Sequence, residues 1–199
     1  MPDIRFYKFV LGVNAVIPLA YIGYDGWNGR LGANPLEFFL RATGVLTLTF
    51  LLLSLAVTPL RKLFGWNSLI KFRRMLGLIA FFYACIHLAT YSIFDKGVDI
   101  LVIGADIVQR PFIAIGITAF LMLVPLAITS TNGWVKRLGG KNWARLHRLA
   151  YLAGILGVVH FWMIVKSDVY YPALFGLALV LLFGIRFYYS TYLRKKVAA

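Results

Sequence analysis

Residues 146–162 read LHRLAYLAGILGVVHFW. Apart from Arg148, everything between its two histidines is apolar or small, a composition suited to lipid. Yet the stretch holds two of the three histidines in the chain. What surrounds it settles the solvent. The chain has 199 residues, of which 61% are hydrophobic, and its mean hydropathy is +0.80. That is too apolar for a water-soluble domain of this length, whose surface must be mostly polar. A bilayer is the expected solvent and a single domain over 1–199 the expected organisation. The lone Cys85 has no partner for a disulfide or a thiolate metal site. The first apolar run has no A-x-A-like site after it and is expected to be retained rather than cleaved.

A helix crossing the hydrocarbon core needs ~20 mostly apolar residues. Six stretches qualify, over about 7–24, 38–58, 75–94, 111–131, 147–166 and 171–191, which predicts an all-α, polytopic six-helix transmembrane bundle. The segments between them divide by charge. One set carries Arg5, Lys8, Arg61, Lys62, Lys71, Arg73, Arg74, Lys136, Arg137, Lys141, Arg145, Arg148, Arg194, Lys195 and Lys196. The other carries Arg30, Arg41, Lys96, Arg110 and Lys166, together with Asp25, Glu37, Asp95, Asp99, Asp106 and Asp168. The lysine and arginine bias assigns the first set to the cytoplasm, so both termini are expected there. The assignment alternates consistently across all six spans.

The same distribution disposes of another class. A formal net charge of +14 could suggest nucleic acid. A nucleic-acid reader needs a continuous basic face, whereas these charges fall in short clusters between apolar runs. No nucleic-acid partner is expected; membrane lipid is. Tyr24, Trp27, Trp66, Trp134, Trp143, Tyr170, Tyr171, Tyr188 and Tyr189 sit near span ends, as aromatic belts require. Pro18, Pro59, Pro111, Pro125 and Pro172 bend helices or mark their starts. The loop 95–110, DKGVDILVIGADIVQR, is expected to hold a short amphipathic helix lying on the outer surface.

Ionisable residues inside a bilayer are rare and mark a site by default. His87 lies thirteen residues beyond Arg74, the cytoplasmic edge of span three, or ~19–20 Å at helical rise. His160 lies twelve residues beyond Arg148, the matching edge of span five, or ~18 Å. Two imidazoles on different helices therefore reach almost the same depth, in the outer half of the membrane. Zinc normally takes four ligands, and no acidic side chain is expected at that depth. Cys85, two residues from His87, points ~200° around the helix. A haem iron needs only two axial ligands, and its apolar macrocycle suits a bundle interior. Without a C-x-x-C-H motif the group would be non-covalent haem b. The plain alternative is a pair of buried histidines hydrogen-bonded across helices.

His147 sits at the cytoplasmic edge of span five, thirteen residues and ~19.5 Å from His160, a spacing suited to two haems stacked across the bilayer. A matching ligand on span three would fall at Arg73 or Arg74, so an inner haem would have one histidine and an unidentified second ligand; Met75 is near in depth. Thirteen residues also set His147 and His160 ~140° apart around an ideal helix. Either two haems lie on different flanks or a local bulge re-phases the helix. Gly154 and Gly157 between them remove side-chain bulk, which would admit a porphyrin edge or a neighbouring helix, close helix packing being the plainer reading.

The segments LGANPLEFFLRATG, VTPLR, RRMLGLIAFFYACIHLATY, RPFIAIG, PLAITST and GKNWARLHRLAYLAGILGVVHFW cover essentially the whole chain. Together, in this order, they resemble the MsrQ family, formerly YedZ, within the ferric-reductase-like transmembrane superfamily that also holds NADPH oxidases and STEAP metalloreductases. The resemblance implies a haem b membrane electron-transfer subunit of the bacterial inner membrane, carrying one or two haems and associated with FMN. It implies electrons arriving from the quinone pool or a cytoplasmic flavin reductase. They would leave to MsrP, a periplasmic molybdenum-containing reductase that repairs methionine sulfoxide and pairs with MsrQ as a heterodimer. By position the family's haem histidines fall on His87, His147 and His160, with no catalytic residue in this chain. The fourth histidine of the NADPH oxidase arrangement is missing, which leaves the inner haem's coordination open. No soluble FAD/NADPH domain like that of those oxidases is expected.

Read from the residues, Arg61, Lys62, Arg73, Arg74, Lys141 and Arg145 form a basic collar. Of these, Arg73, Arg74, Lys141 and Arg145 are the candidates to bind a flavin phosphate, a haem propionate or a quinone headgroup through charge-assisted hydrogen bonds. Topology and anionic-lipid contact is the plainer alternative. Glu37 and Arg41, one turn apart, are expected to pair with each other or to engage an outer haem propionate, structural pairing being the plainer reading. Two other functions stay open: a metalloreductase for ferric or cupric ions, and a non-redox membrane scaffold or transporter.

Overall fold

The computed structural model describes residues 3–165 and 167–198, the side chains of 192–198 excepted. The described chain is helical: α1 (Ile4–Trp27), α2 (Pro35–Phe64), α3 (Arg73–Thr90), α4 (Ile100–Gln109), α5 (Pro111–Ile128), α6 (Asn132–Leu138), α7 (Gly140–Leu146), α8 (Leu149–Ile164) and α9 (Tyr170–Ala198). A 3₁₀ turn, Asn67–Lys71, leads into α3, and a π-helical turn, Tyr91–Asp95, leaves it. Six stretches are long and apolar enough to cross a membrane: Ile4–Trp27, Pro35–Phe64, Arg73–Asp95, Pro111–Ile128, Gly140–Ile164 and Tyr170–Thr191. Each overlaps one of the six stretches marked in the sequence. Lys166 and the side chains of Arg194, Lys195 and Lys196 lie outside the described residues.

Local chemistry sets the ends. Asn34 caps α2 by accepting the Glu37 backbone N–H, and Pro35 sits in the first turn, where its missing N–H costs nothing. Arg61 and Lys62 occupy the last turn of α2, and Gly65 closes it at φ 70°, a left-handed conformation that a Cβ would oppose. Pro111 opens α5 in the same way. Glu37 pairs with Arg41 at 2.5 Å, the structural pairing expected of them.

Tertiary contacts fix the direction of neighbouring spans. The start of α2 meets the end of α3, where His87 reaches the Leu40 carbonyl. The start of α5 meets the end of α8, where His160 reaches the Phe112 carbonyl. The end of α9 meets the start of α8, where Arg186 reaches Tyr151. These pairs are antiparallel, which gathers the arginine-rich turns at one end of the bundle and the acidic turns at the other. The closest packing lies within α2–α3 and within α5–α8. Leu51, Ala80, Ala84, Leu123, Leu126 and Ala153 join the two pairs in one core, while Leu48, Leu52 and Leu55 meet Leu179 of α9 in a second. Alanines at 80, 84 and 153 let the backbones approach, as lipid-embedded packing requires. By contrast α1 is peripheral, held by the Tyr83 hydroxyl donating to the Ala15 carbonyl and by Met75 packed against Gly12.

Two local features differ from the sequence reading. The fifth span begins at Gly140 rather than at residue 147, because α7 and α8 are separated only by a turn at His147–Arg148. And no π-bulge lies between His147 and His160; that break, with tighter bonds from Arg148 N–H to Arg145 and from Tyr151 N–H to Arg148, re-phases the helix, so that both histidines meet α5, His147 at its C-cap Thr129 and His160 at Phe112. The π-helical turn falls instead just beyond His87. The 95–110 segment does contain a short helix, α4. Its amphipathicity is inverted: Ile100, Leu101 and Val108 are more than 80% exposed while Asp106 is buried.

Candidate functional site

The bundle brings His87 and His160 face to face. Their ring centroids are 6.2 Å apart and their planes cross at 89°. Each ring is held from behind by the same device. His87 Nδ1 lies 3.0 Å from the Leu40 carbonyl, and Gly44, four residues on, stands so close that a Cβ there would meet the ring at 3.2 Å. His160 Nδ1 lies 2.6 Å from the Phe112 carbonyl, and a Cβ at Gly116, again four residues on, would meet the ring at 2.7 Å. So LRATG in α2 and FIAIG in α5 each offer a carbonyl and a bare backbone to a histidine of the neighbouring helix. The buried Thr43 hydroxyl adds a contact to His87 Nδ1 at 3.4 Å.

A carbonyl acceptor fixes the proton on Nδ1, which leaves Nε2 as a lone pair available to a metal. Where both Nε2 atoms aim at one ion, two metal–nitrogen bonds of about 2 Å, plus about 1.1 Å from each nitrogen to its ring centre, would set the centroids about 6 Å apart. The observed 6.2 Å meets that spacing. Among the described residues no group of three or more His, Cys, Asp or Glu could hold a metal ion, so a four-ligand zinc site has no donors here. Cys85 is free and half-buried. The donor set suits an ion that needs only two axial ligands from protein, as the iron of a haem does.

His147 stands apart, toward the arginine-rich end. Its Nε2 lies 3.0 Å from the Thr129 hydroxyl, and Trp143 stacks on its ring at 3.8 Å while donating its indole N–H to the Thr129 carbonyl. No second histidine faces it. Met75, near in depth, packs toward Gly12 of α1. Arg73 and Arg74 lie within electrostatic reach of His147, and Arg74 donates to Asn132 at 2.7 Å. Lys141 and Arg145 are exposed on α7, and among the described contacts neither joins Arg73 and Arg74. The four basic candidates are thus two groups.

With this geometry in hand, comparison with known proteins is decisive. Residues 42–158 match the family described as ferric reductase like transmembrane component. Along nearly its full length the chain is similar to proteins named "Protein-methionine-sulfoxide reductase heme-binding subunit MsrQ". It is 47% identical to that of Herminiimonas arsenicoxydans, over 98% of this chain and 90% of the relative. It is 48% identical to that of Rhodospirillum rubrum, over 92% and 88%. For Azospira oryzae the figures are 46% over 90% and 77%. The chain belongs to the MsrQ family.

In this MsrQ family member the superfamily match takes in α3, α5 and most of α8 and ends two residues short of His160. Some of the residues that shape the site were not marked in the sequence. Gly44, Gly116 and the carbonyls of Leu40 and Phe112 carry no chemical label, and only a neighbouring helix gives them meaning. Arg186 could have been found. It is an ionisable residue inside the sixth span, which by itself flags a position. Its guanidinium donates to the Tyr151 hydroxyl at 2.6 Å, donates to the Leu55 carbonyl, and lies 5.0 Å above the Tyr151 ring. Pro59 explains the carbonyl: a proline has no N–H to return to residue i−4, so Leu55 is left with a free acceptor.

At the acidic end, Asp106 accepts the Tyr91 hydroxyl at 2.8 Å, Lys96 Nζ at 3.1 Å and Arg110 Nε at 3.0 Å. Burial alone would push this carboxyl up, but the Tyr91, Lys96 and Arg110 partners outweigh it and hold it below the ordinary range. Lys96 is raised, first by its hydrogen bond to Asp95 and further by Asp106. The network clamps α4 over the end of α3 nearest the facing histidines.

Proposed function

We propose that this chain is the haem b-carrying membrane subunit of a methionine sulfoxide reductase pair, relaying electrons outward across a bacterial inner membrane. The observation that carries the reading is the pair of facing imidazoles, 6.2 Å apart, each with Nδ1 tied to a carbonyl and Nε2 without a hydrogen-bond partner among the described residues. His87 and His160 would hold the haem iron; a bound haem would supply one-electron chemistry in an apolar interior. The chain's own part is to fix both rings, exclude water with α2, α3, α5 and α8, and bring the site toward the acidic end of the bundle. The names of the relatives support a haem-binding role and a methionine-sulfoxide reductase partner, MsrP. The lysine and arginine bias supports placing both termini and the arginine-rich end in the cytoplasm, and MsrP on the opposite, periplasmic side. Electrons would then enter near Arg73, Arg74 and His147, from a membrane quinone or from a cytoplasmic flavin reductase acting through FMN. His147 would serve an inner haem only if a non-histidine ligand completes it.

The test is spectroscopic and then kinetic. Purified protein should show the sharp Soret and split α/β bands of six-coordinate low-spin haem on reduction. The reduced form should be reoxidised by MsrP far faster than by chelated ferric iron. A colourless, well-folded preparation would remove the electron-transfer reading, and faster oxidation by chelated iron would replace it with metal reduction.

A further inference from the structure

Arg186 is placed where an uncompensated charge is expensive. It sits inside a membrane span, half-buried, and its two hydrogen-bond partners, the Tyr151 hydroxyl and the Leu55 carbonyl, are both neutral. Its Nε is fully enclosed and has no partner among the described residues. Relief of the carbonyl freed by Pro59 accounts for one nitrogen only.

A second guanidinium converges on the same place. Ser54, the residue before Leu55, donates to the Arg73 backbone carbonyl at 3.0 Å, so adjacent residues of α2 tether Arg73 and Arg186. Arg73 is within electrostatic reach of Arg186 and of His147, and Tyr151 lies one turn beyond His147. Among the described residues no ion pair to a carboxylate involves Arg73, Arg74 or Arg186, and the five ion pairs there lie toward the opposite end of the bundle. Two like charges drawn together in a low-dielectric interior repel, and hydrogen bonds to neutral groups do not offset that. A guanidinium with an N–H left unpaired among the described residues suits an oxygen of a carboxylate or phosphate.

We infer that Arg186, Arg73 and Tyr151 form a recessed site for the anionic oxygen group of a bound cofactor at the arginine-rich end of the bundle. The inference rests on the reading of the chain as a cofactor-carrying electron relay. Two groups carry this chemistry: the phosphate of a flavin mononucleotide and the propionate of a haem near His147. Tyr151 orients the Arg186 fork, and Arg73 supplies the second charge.

The experiment uses the full chain in lipid nanodiscs, with two matched pairs of probes. In one arm FMN is compared with riboflavin, which lacks the phosphate, by flavin fluorescence quenching. In the other, haem is compared with its dimethyl ester by reconstitution of haem-depleted protein. The wild type should prefer the charged member of one pair about tenfold or more, and that pair identifies the source. Arg186→Gln and Arg73→Gln should each reduce the preference to about twofold or less, and Arg186→Lys should restore part of it. Arg73→Gln guards against misfolding, because the one described hydrogen bond of Arg73 runs through its backbone. Collapse of the preference in either glutamine variant that keeps the wild-type elution profile supports the site. Equal binding of charged and neutral probes in both arms, or a preference that survives both substitutions, overturns it. A wild type without low-spin haem would defeat the haem relay while leaving the flavin arm readable.

Discussion

Gly116→Ala puts the histidine geometry under a graded strain whose size can be read from the structure. A Cβ at residue 116 would lie 2.7 Å from His160 Cε1, 2.8 Å from Nδ1 and 3.2 Å from Nε2. Non-bonded carbon atoms rest about 3.5–4.0 Å apart, so the ring or helix α5 must retreat by about 0.8 Å or more. The ring has little slack, since Nδ1 is bonded to Phe112 on the same helix at 2.6 Å. Axial metal–nitrogen bonds tolerate only about 0.2 Å. Overpacking of this kind costs about 1–3 kcal/mol, which corresponds to about 5–150-fold weaker retention of a six-coordinate haem. The assay is the haem-to-protein ratio by pyridine haemochrome together with the low-spin spectrum, on protein with an unaltered elution profile. Gly44→Ala should do the same more mildly, because its Cβ would meet His87 at 3.2 Å. Gly104→Ala and Gly184→Ala, where nothing lies within 4 Å, should have no effect. A Gly116→Ala protein with wild-type haem content and spectrum would refute the claim that this glycine exists to seat His160.

Two further outcomes follow from the periphery. Asp106→Asn should loosen α4 by about 2–3 kcal/mol, at or below the low end for breaking a buried pair because Lys96 keeps Asp95, and hydrogen exchange over 96–110 should accelerate accordingly. In the wild type the depressed Asp106 carboxyl gives stability that is present above about pH 4 and fades as pH falls through its lower folded value. The raised Lys96 gives stability present below about pH 10 and lost as pH climbs through its higher folded value, so protection of α4 should form a plateau between those limits. An acid dependence unchanged in Asp106→Asn would contradict this. Tyr83→Phe should release α1: the hydroxyl donates to Ala15 across helices, and losing about 1 kcal/mol should raise hydrogen exchange in residues 4–27 about fivefold without touching α3. Unchanged exchange in α1 would show that its apolar contacts alone hold it.

Much of the architecture was legible because lipid imposes a simple rule. Six apolar runs and the alternation of basic and acidic turns gave the six long helices, and counting residues from Arg74 and Arg148 placed His87 and His160 level with each other. Those inferences need only rise per residue and hydropathy. What escaped depends on contacts between helices. The Leu40–Gly44 and Phe112–Gly116 cradles consist of a carbonyl and an absent side chain, which leave no trace in residue chemistry. The turn at His147–Arg148 was hidden because HRLAYLAG reads as continuous helix, yet it brings both histidines of one span against α5, His147 at Thr129 and His160 at Phe112. Arg186 was missed although its charge inside a span could have marked it, and its link to Leu55 required knowing that Pro59 frees that carbonyl toward α9. The inverted α4 was partly visible: its apolar residues were plain, whereas burial of Asp106 depends on Lys96, Tyr91 and Arg110 meeting it.

The central claim is that two histidines from separate helices share one iron, and non-additivity tests it most directly. Low-spin haem per protein should be measured by electron paramagnetic resonance and pyridine haemochrome in His87→Ala, in His160→Ala and in the double variant. The account predicts that each single substitution removes the same haem and that the double variant loses no more than either one. Two separate, additive losses, or a full six-coordinate complement surviving either single substitution, would contradict it.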